Sequence, residues 1–345
     1  MTQLSRRGLV AGALGALALS GCNGTAVRQA EQSASPKVST PGAGLPACTI
    51  GLTYIPNIQF APFYWAQEKG LFTRRGARVT LRHHGADEGL FTALTSGQED
   101  FVIAGGDEVV QANAEGMDLV TVAGYYQRYP IVMIVREDSP ITSLAQLKGR
   151  TVGIPGEYGE SWFGLQVALR TAGLARTDLT IQSIGYTQQA ALATRKVDAI
   201  VGFSNNDVVQ FATNGVAVRQ IPLADEIPLV SSSIVTTRAT LESQPELVEQ
   251  VCRGIVESVQ GVVADPQAAI TTSIAHIPGL DAATAQKNAL TTLKATIPLW
   301  KGEQEVPELK LSADRFVEMA DFMHQAGLIS RKVDGSRAVD ASVLA

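Results

Sequence analysis

From Thr49 to Thr236 the chain alternates between two hydrophobic periods, and this alternation limits the fold more than any other feature. Apolar runs at residues 49–54, 78–81, 101–104, 119–123, 131–136, 151–154, 179–183, 199–201 and 230–236 read as strands. Segments of helical period at residues 62–69, 88–95, 108–114, 162–172, 188–195 and 207–213 lie between most of them. Gly70, Gly97, Gly116 and Gly173 each close one such segment, as a helix C-terminus favours. Strands alternating with helices of this length build mainly parallel sheets covered by helices, an α/β class. At 345 residues the chain exceeds one small core, which predicts two lobes. After Leu241 nearly everything reads helical, and those helices are expected to pack on the first lobe. The expected lobes are residues 47–137 plus 236–345, and residues 138–235, with crossings near 136–139 and 233–237. A cleft between them, outside the carboxyl ends of the strands, is the expected ligand site.

The N-terminus carries a targeting signal. Ser5-Arg6-Arg7 precedes an uncharged apolar run at residues 9–19, which reads as a signal peptide over residues 1–21. The paired arginines resemble a twin-arginine signal. Leu19-Ser20-Gly21-Cys22 resembles a bacterial lipobox, which implies a mature chain starting at a lipidated Cys22. Residues 22–46, rich in Ser, Ala, Gly, Thr and Pro, read as a flexible tether. Together these imply an extracytoplasmic protein anchored to the cell membrane. Cys48 and Cys252 are then the two remaining thiols, in a compartment that permits a disulfide, and their pairing stays open.

The charge of −5 and the absence of a basic cluster beyond the first residues argue against nucleic acid as a partner. No GxGxxG after a strand, GxxxxGK[ST], HExxH or GxSxG is present, so no enzyme, cofactor or metal centre is indicated. His83-His84 at a strand end reads as surface. What remains suits a binding pocket. Residues 151–164 form a strand, a glycine-bearing turn and a helix start, in which Gly156 lets backbone N–H groups approach a ligand. The same loop offers Glu157, Tyr158 and Trp162. Further candidates follow other strands: Tyr54 and Asn57; Asp107, for which a helix N-cap is the plainer reading; Tyr125, Tyr126, Gln127 and Tyr129; Tyr186; Asn205 and Asp207. Aromatic faces with directional polar groups suit a flat, polar heteroaromatic ligand. A small dianion would call for Arg or Lys, and Arg128 is the main basic residue at these positions. Trp65 reads as core; Trp300 either covers the cleft or packs.

Ala66-Gln67-Glu68-Lys69-Gly70-Leu71-Phe72 with Gly76 resembles a signature of the periplasmic substrate-binding proteins related to yeast pyrimidine synthase. Leu144-x-x-Leu147-Lys148-Gly149-x-x-Val152-Gly153 and Lys196-Val197-Asp198-Ala199-Ile200 are similar to its other hallmarks. The resemblance implies a two-lobed binding protein of type II, working with an ABC permease and binding a small solute. Gly156-Glu157-Tyr158-Gly159 is similar to the GEFG loop of the pyrimidine branch, Thr53-Tyr54-x-Pro56 to its NWxP, and Asn205-x-Asp207 to its N-x-E motif. By that resemblance Tyr54 stacks on the ring, and Glu157 or Asp207 pairs with a ring nitrogen and amino group. The implied ligand is a pyrimidine precursor of thiamine. The alternatives are a sulfonate, taurine or nitrate, a riboflavin-like heterocycle, or a pyrimidine synthase enzyme. The enzyme is disfavoured: residues 228–235 hold no cysteine, Gly105-Gly106 stand where the cofactor lysine falls, and Phe60 where a metal-associated histidine does.

Overall fold

The computed structural model describes residues 44–53, 55–84 and 88–345. The signal segment, Cys22, most of the tether and Tyr54 lie outside the described residues. Among the described residues, nine elements build the first lobe before the chain leaves it. They are β1 (Ala47–Leu52), α1 (Ala61–Glu68), α2 (Leu71–Arg74), β2 (Arg78–His83), α3 (Thr92–Thr95), β3 (Phe101–Gly105), α4 (Gly106–Ala114), β4 (Leu119–Ala123) and a short 3-10 turn at Ile58–Phe60. The second lobe holds β5 (Ile131–Arg136), β6 (Thr151–Ile154), α5 (Gly159–Ala172), β7 (Thr180–Ser183), α6 (Gln188–Ala193), β8 (Ala199–Phe203), α7 (Asp207–Thr213) and β9 (Val218–Ile221). The chain returns as β10 (Ser232–Thr237) and ends in α8 (Arg238–Ser243), α9 (Pro245–Ala264), α10 (Pro266–Ser273), α11 (Ala283–Lys301) and α12 (Ala313–Gln325).

The two sheets have matching plans, β2-β1-β3-β10-β4 and β7-β6-β8-β5-β9. Each is mainly parallel with one antiparallel strand, β10 in the first and β5 in the second. Both exceptions are strands that have just arrived from the other lobe. This moves the expected crossings. β5 pairs with β8 and β9 of the second sheet, so the chain crosses at residues 124–130, before β5. β10 pairs with β3 and β4, so the return is complete before Ser232. Ile134 settles the matter physically, because it fills the second lobe's outer core with Ile200 and Phe211. Strand β9, polar at Arg219 and Gln220, lacks the apolar run that marked the other strands and was not anticipated.

Strands β3 and β4 are buried along their whole length, which is why their sequences run apolar without alternation. β4 ends the sheet, and the C-terminal chain covers its edge through Asp340 N–H donating to the Thr121 carbonyl at 2.9 Å. Helix α9 buries Leu247, Val248, Val251, Cys252, Ile255, Val259 and Val262, a stripe of helical period against α1 and β4. Gly254 and Gly261 on that helix make room for the Phe72 and Trp65 rings. Trp65 is half-buried against the core, and Trp300 is fully buried, edge-on to Tyr125. The late helices pack on the first lobe as expected, and two of them also touch the second: α11 meets α7, and the Phe322 ring of α12 lies against Arg170 of α5. One apolar cluster runs without a break from Val102 and Val109 in the first lobe to Phe163 and Val201 in the second, so the lobes stand closed on each other.

Cys48 and Cys252 are both free and buried in the first lobe's core, so no disulfide joins them. Burial pushes the Cys48 thiol up to about 12 and the Cys252 thiol higher still. The histidine pair also departs from the surface reading. His84 is buried on the Glu99 carboxylate, with Nε2 3.0 Å from either oxygen, and His83 Nε2 lies 3.0 Å from the Tyr64 hydroxyl. Arg82 completes the pairing of Glu99 at 2.6 Å, and Gly51 leaves space for that carboxylate.

Candidate ligand site at the junction of the two lobes

Three carboxylates and a tyrosine meet where the lobes touch. Asp107, in the first turn of α4, is fully buried. Its Oδ1 accepts from the Glu108 N–H at 2.8 Å and its Oδ2 from the Tyr129 hydroxyl at 2.7 Å. Gly105, not Asp107, is the N-cap, and a Cβ on Gly105 would overlap Asp107 Oδ1. Glu108 turns back to accept from the Gly105 N–H at 2.8 Å. Opposite them, Glu160 in the first turn of α5 is 8% exposed and accepts from the Ser231 hydroxyl at 2.6 Å. Tyr129, in the first crossing, also reaches the Glu160 carbonyl at 3.2 Å. One hydroxyl therefore touches both lobes, and Ser231 in the return crossing ties down the second.

Burial dominates the electrostatics here. It holds the Asp107 carboxyl well above the carboxylate range, and Glu160 and Glu108 add to the rise. Burial pushes Glu160 up to about 8 against the bond from Ser231, and Glu108 up to about 7 against the bond from Gly105. No lysine or arginine figures among the groups that set these three values.

A second polar cluster lies beside the first. Tyr125 and Tyr126 stack on each other with centroids 5.2 Å apart. The Tyr125 hydroxyl donates to the Gln59 carbonyl at 2.6 Å, and the Tyr126 oxygen accepts from Gln59 Nε2 at 3.2 Å. Asn205, which follows β8 and is 1% exposed, donates through Nδ2 to Thr296 Oγ1 of α11 at 2.9 Å and to Tyr126 at 3.4 Å. Its Oδ1 has no hydrogen-bond partner.

The sequence candidates thus divide. Asp107, Tyr125, Tyr129 and Asn205 come together at the junction with Tyr126. Asp207 is buried beside them in chain order but spends its Oδ2 on the Phe203 N–H at 2.8 Å. Asn57 caps the 3-10 turn by accepting from the Gln59 N–H. Gln127 donates to the Gly124 carbonyl and closes its own turn. Glu157 is half-exposed and ion-paired with Arg176, whose guanidinium sits 5.2 Å from the Trp162 ring centre. Gly156 lies under the Tyr158 ring, where a Cβ would overlap it. Tyr158 and Tyr186 are 56% and 59% exposed, at the carboxyl ends of the neighbouring strands β6 and β7. Arg128 is paired with Glu303.

Gln59, Glu108, Glu160, Ser231, Thr296 and Arg176 were not among the sequence candidates. Glu108 had a signal, since an acid three residues after a turn glycine matches helix capping. Thr296 had none, because a threonine inside a helix declares nothing about what its hydroxyl meets.

Two α/β lobes of matching plan, crossed twice by the chain, are the periplasmic binding protein fold. The aliphatic sulphonate binding protein SsuA from Escherichia coli shares this fold with a TM-score of 0.68, over 85% of this chain and 92% of that one, at 20% identity. Residues 57–269 match the family described as NMT1/THI5 like, and the chain belongs to that family. The riboflavin-binding protein RibY of Chloroflexus aurantiacus is 33% identical over 298 residues, 84% of each chain. A putative thiamine biosynthesis protein of Haemophilus influenzae is 27% identical over 295 residues, 82% of this chain and 88% of that one.

Proposed function

We propose that this protein is the solute-binding component of an ABC importer, and that its two lobes close on a flat, uncharged heteroaromatic ligand of the flavin type. The observation that carries this is two exposed tyrosine rings, Tyr158 and Tyr186, together with a junction that offers acceptors and where, among the described residues, no lysine or arginine acts on Asp107 or Glu160. Rings at neighbouring strand ends suit stacking on an extended aromatic plane. The 33% identity to a riboflavin-binding protein supports the same choice. A thiamine-precursor pyrimidine is the second reading, favoured by the 27% relative and by the Gly156-Glu157-Tyr158-Gly159 loop. It requires Glu157 to leave Arg176. A sulfonate would require Arg128 to leave Glu303 and would meet a carboxylate-lined junction.

In this reading the protein works outside the cytoplasmic membrane, exported by its Arg6-Arg7 signal and held there by lipid on Cys22. It passes its ligand to a membrane permease and catalyses nothing. Closure is a hinge motion at residues 124–130 and 222–231.

Titration of the purified protein with riboflavin, hydroxymethyl-aminopyrimidine and an alkanesulfonate tests this, followed by flavin fluorescence and Tm. Riboflavin is expected to bind and raise Tm, and Tyr158→Ala and Tyr186→Ala are each expected to weaken it by about three- to tenfold. Binding of the pyrimidine alone moves the assignment to the second reading. Binding of the sulfonate alone removes the aromatic pocket.

A further inference from the structure

The Asn205 amide has a fixed orientation, and the reason lies on another element. Thr296 Oγ1 donates its proton to the Thr292 carbonyl one turn back along α11, at 2.8 Å. The hydroxyl can therefore only accept from Asn205. That places the Asn205 NH2 against Thr296, with its second N–H toward Tyr126 at 3.4 Å. Both amide hydrogens are then engaged, and the carbonyl oxygen, on a side chain 1% exposed, is left without a partner. A buried acceptor with no donor is costly and calls for one. Asn205 follows β8 in the second lobe, whereas Thr296 lies on α11 beside Leu293 and Trp300 of the first-lobe core. The bond between them therefore crosses the junction and exists in this closed arrangement.

We propose that Thr296 is the positioning residue that turns the Asn205 carbonyl oxygen toward the ligand, so that the closed site takes a ring N–H and rejects the N-alkylated form. This rests on the junction being the ligand site. It adds what that reading lacks, a chemical demand on one edge of the heterocycle: a lactam or imide N–H rather than a bare ring nitrogen. Thr296 touches no ligand itself. Its hydroxyl acts only by deciding which end of the amide faces the site.

The test compares riboflavin with 3-methylriboflavin, by fluorescence titration of the full protein. The wild type is expected to favour riboflavin by about 10- to 100-fold, the usual consequence of leaving a buried acceptor unmet. In Thr296→Val the amide is free to turn, and the preference is expected to fall to within about threefold, with Tm checked separately. Thr296→Ser keeps the hydroxyl and is expected to restore the preference, which a loss of packing alone would not do. Equal affinity of the wild type for both flavins overturns this inference and leaves the flavin receptor standing. An unchanged preference in Thr296→Val overturns it as well. Failure of the wild type to bind riboflavin overturns the flavin reading and this inference together.

Discussion

Glu157 and Glu160 stand at one strand-to-helix turn, three residues apart, and the fold treats them in opposite ways. Glu157 lies outward, and Arg176 holds its carboxyl below the ordinary glutamate range. Glu160 lies inward at the junction, and burial lifts its carboxyl to about 8. The backbone explains the division. Gly159 opens α5 with φ at +69° and lies against Glu108 of the first lobe. The chain before it faces the rim, and the first helical turn after it faces the other lobe. Membership of a motif therefore does not decide what a carboxylate does here. Exposure and partner do. The rim glutamate is a charge with a counter-charge, while the junction glutamate is an acid kept near neutral among other acids.

The contrast has a sign that can be measured. Burial lifts the Glu160 carboxyl to about 8 in the folded protein, against 4.5 for a glutamate in water. Between those values the folded state holds a proton that the unfolded state has lost, so stability falls as pH rises through this range. Glu108, lifted to about 7, works in the same direction. Glu160→Gln removes one such proton. Its stability curve is expected to be flatter than that of the wild type between about pH 5 and 8, by about 1.4 kcal/mol per pH unit at most. Urea unfolding across that range measures it. Parallel curves for the two proteins would place Glu160 in contact with solvent and dissolve the contrast.

How far this was legible in the sequence follows from the same two residues. The α/β alternation, every strand position but that of β9, and the two-lobed plan were readable because apolar period is a property of the chain itself. β5 was recognised as a strand but given to the wrong lobe, since pairing with β8 and β9 is decided by tertiary contact. The loop at residues 155–161 was recognised as special, yet its inward acid was passed over for Glu157. Arg176, which captures Glu157, lies beyond the next helix, and nothing local announces it. Asn205 and Tyr125 stand out in the sequence because they follow strands, where polar and aromatic residues are conspicuous, and the fold brings both to the junction. Thr296 was invisible for the opposite reason.

Tyr129 bridges the two sides of the junction, so its hydroxyl tests the inward acid from the other end. Tyr129→Phe removes the donor to Asp107 Oδ2 and to the Glu160 carbonyl while keeping the ring, which packs against the core shared by both lobes. Asp107 then retains only the Glu108 N–H. The expected loss is about 1–3 kcal/mol, the usual cost of an unmet buried polar group. It should be greatest at high pH, where the cluster carries more charge. Thermal unfolding at pH 6 and pH 8.5 separates the two components. A loss that is the same at both pH values would mean that the hydroxyl serves only the Glu160 carbonyl.

The smallest effect belongs to the rim. In Glu157→Gln the partner Arg176 keeps its place over Trp162 and remains solvated, because both charges of the pair stand partly in water. Stability at neutral pH is expected to stay within error of the wild type. The sign of the residual pH dependence is the informative part. Glu157 titrates below its ordinary value, so whatever it contributes is present at neutral pH and disappears as pH falls through the acid range, opposite to Glu160. Added salt should erase it, since exposed pairs are screened and the buried junction is not. A salt-resistant loss in Glu157→Gln, or one that also weakens riboflavin binding, would bring Glu157 inward to the ligand and restore the role that the loop resemblance assigned to it.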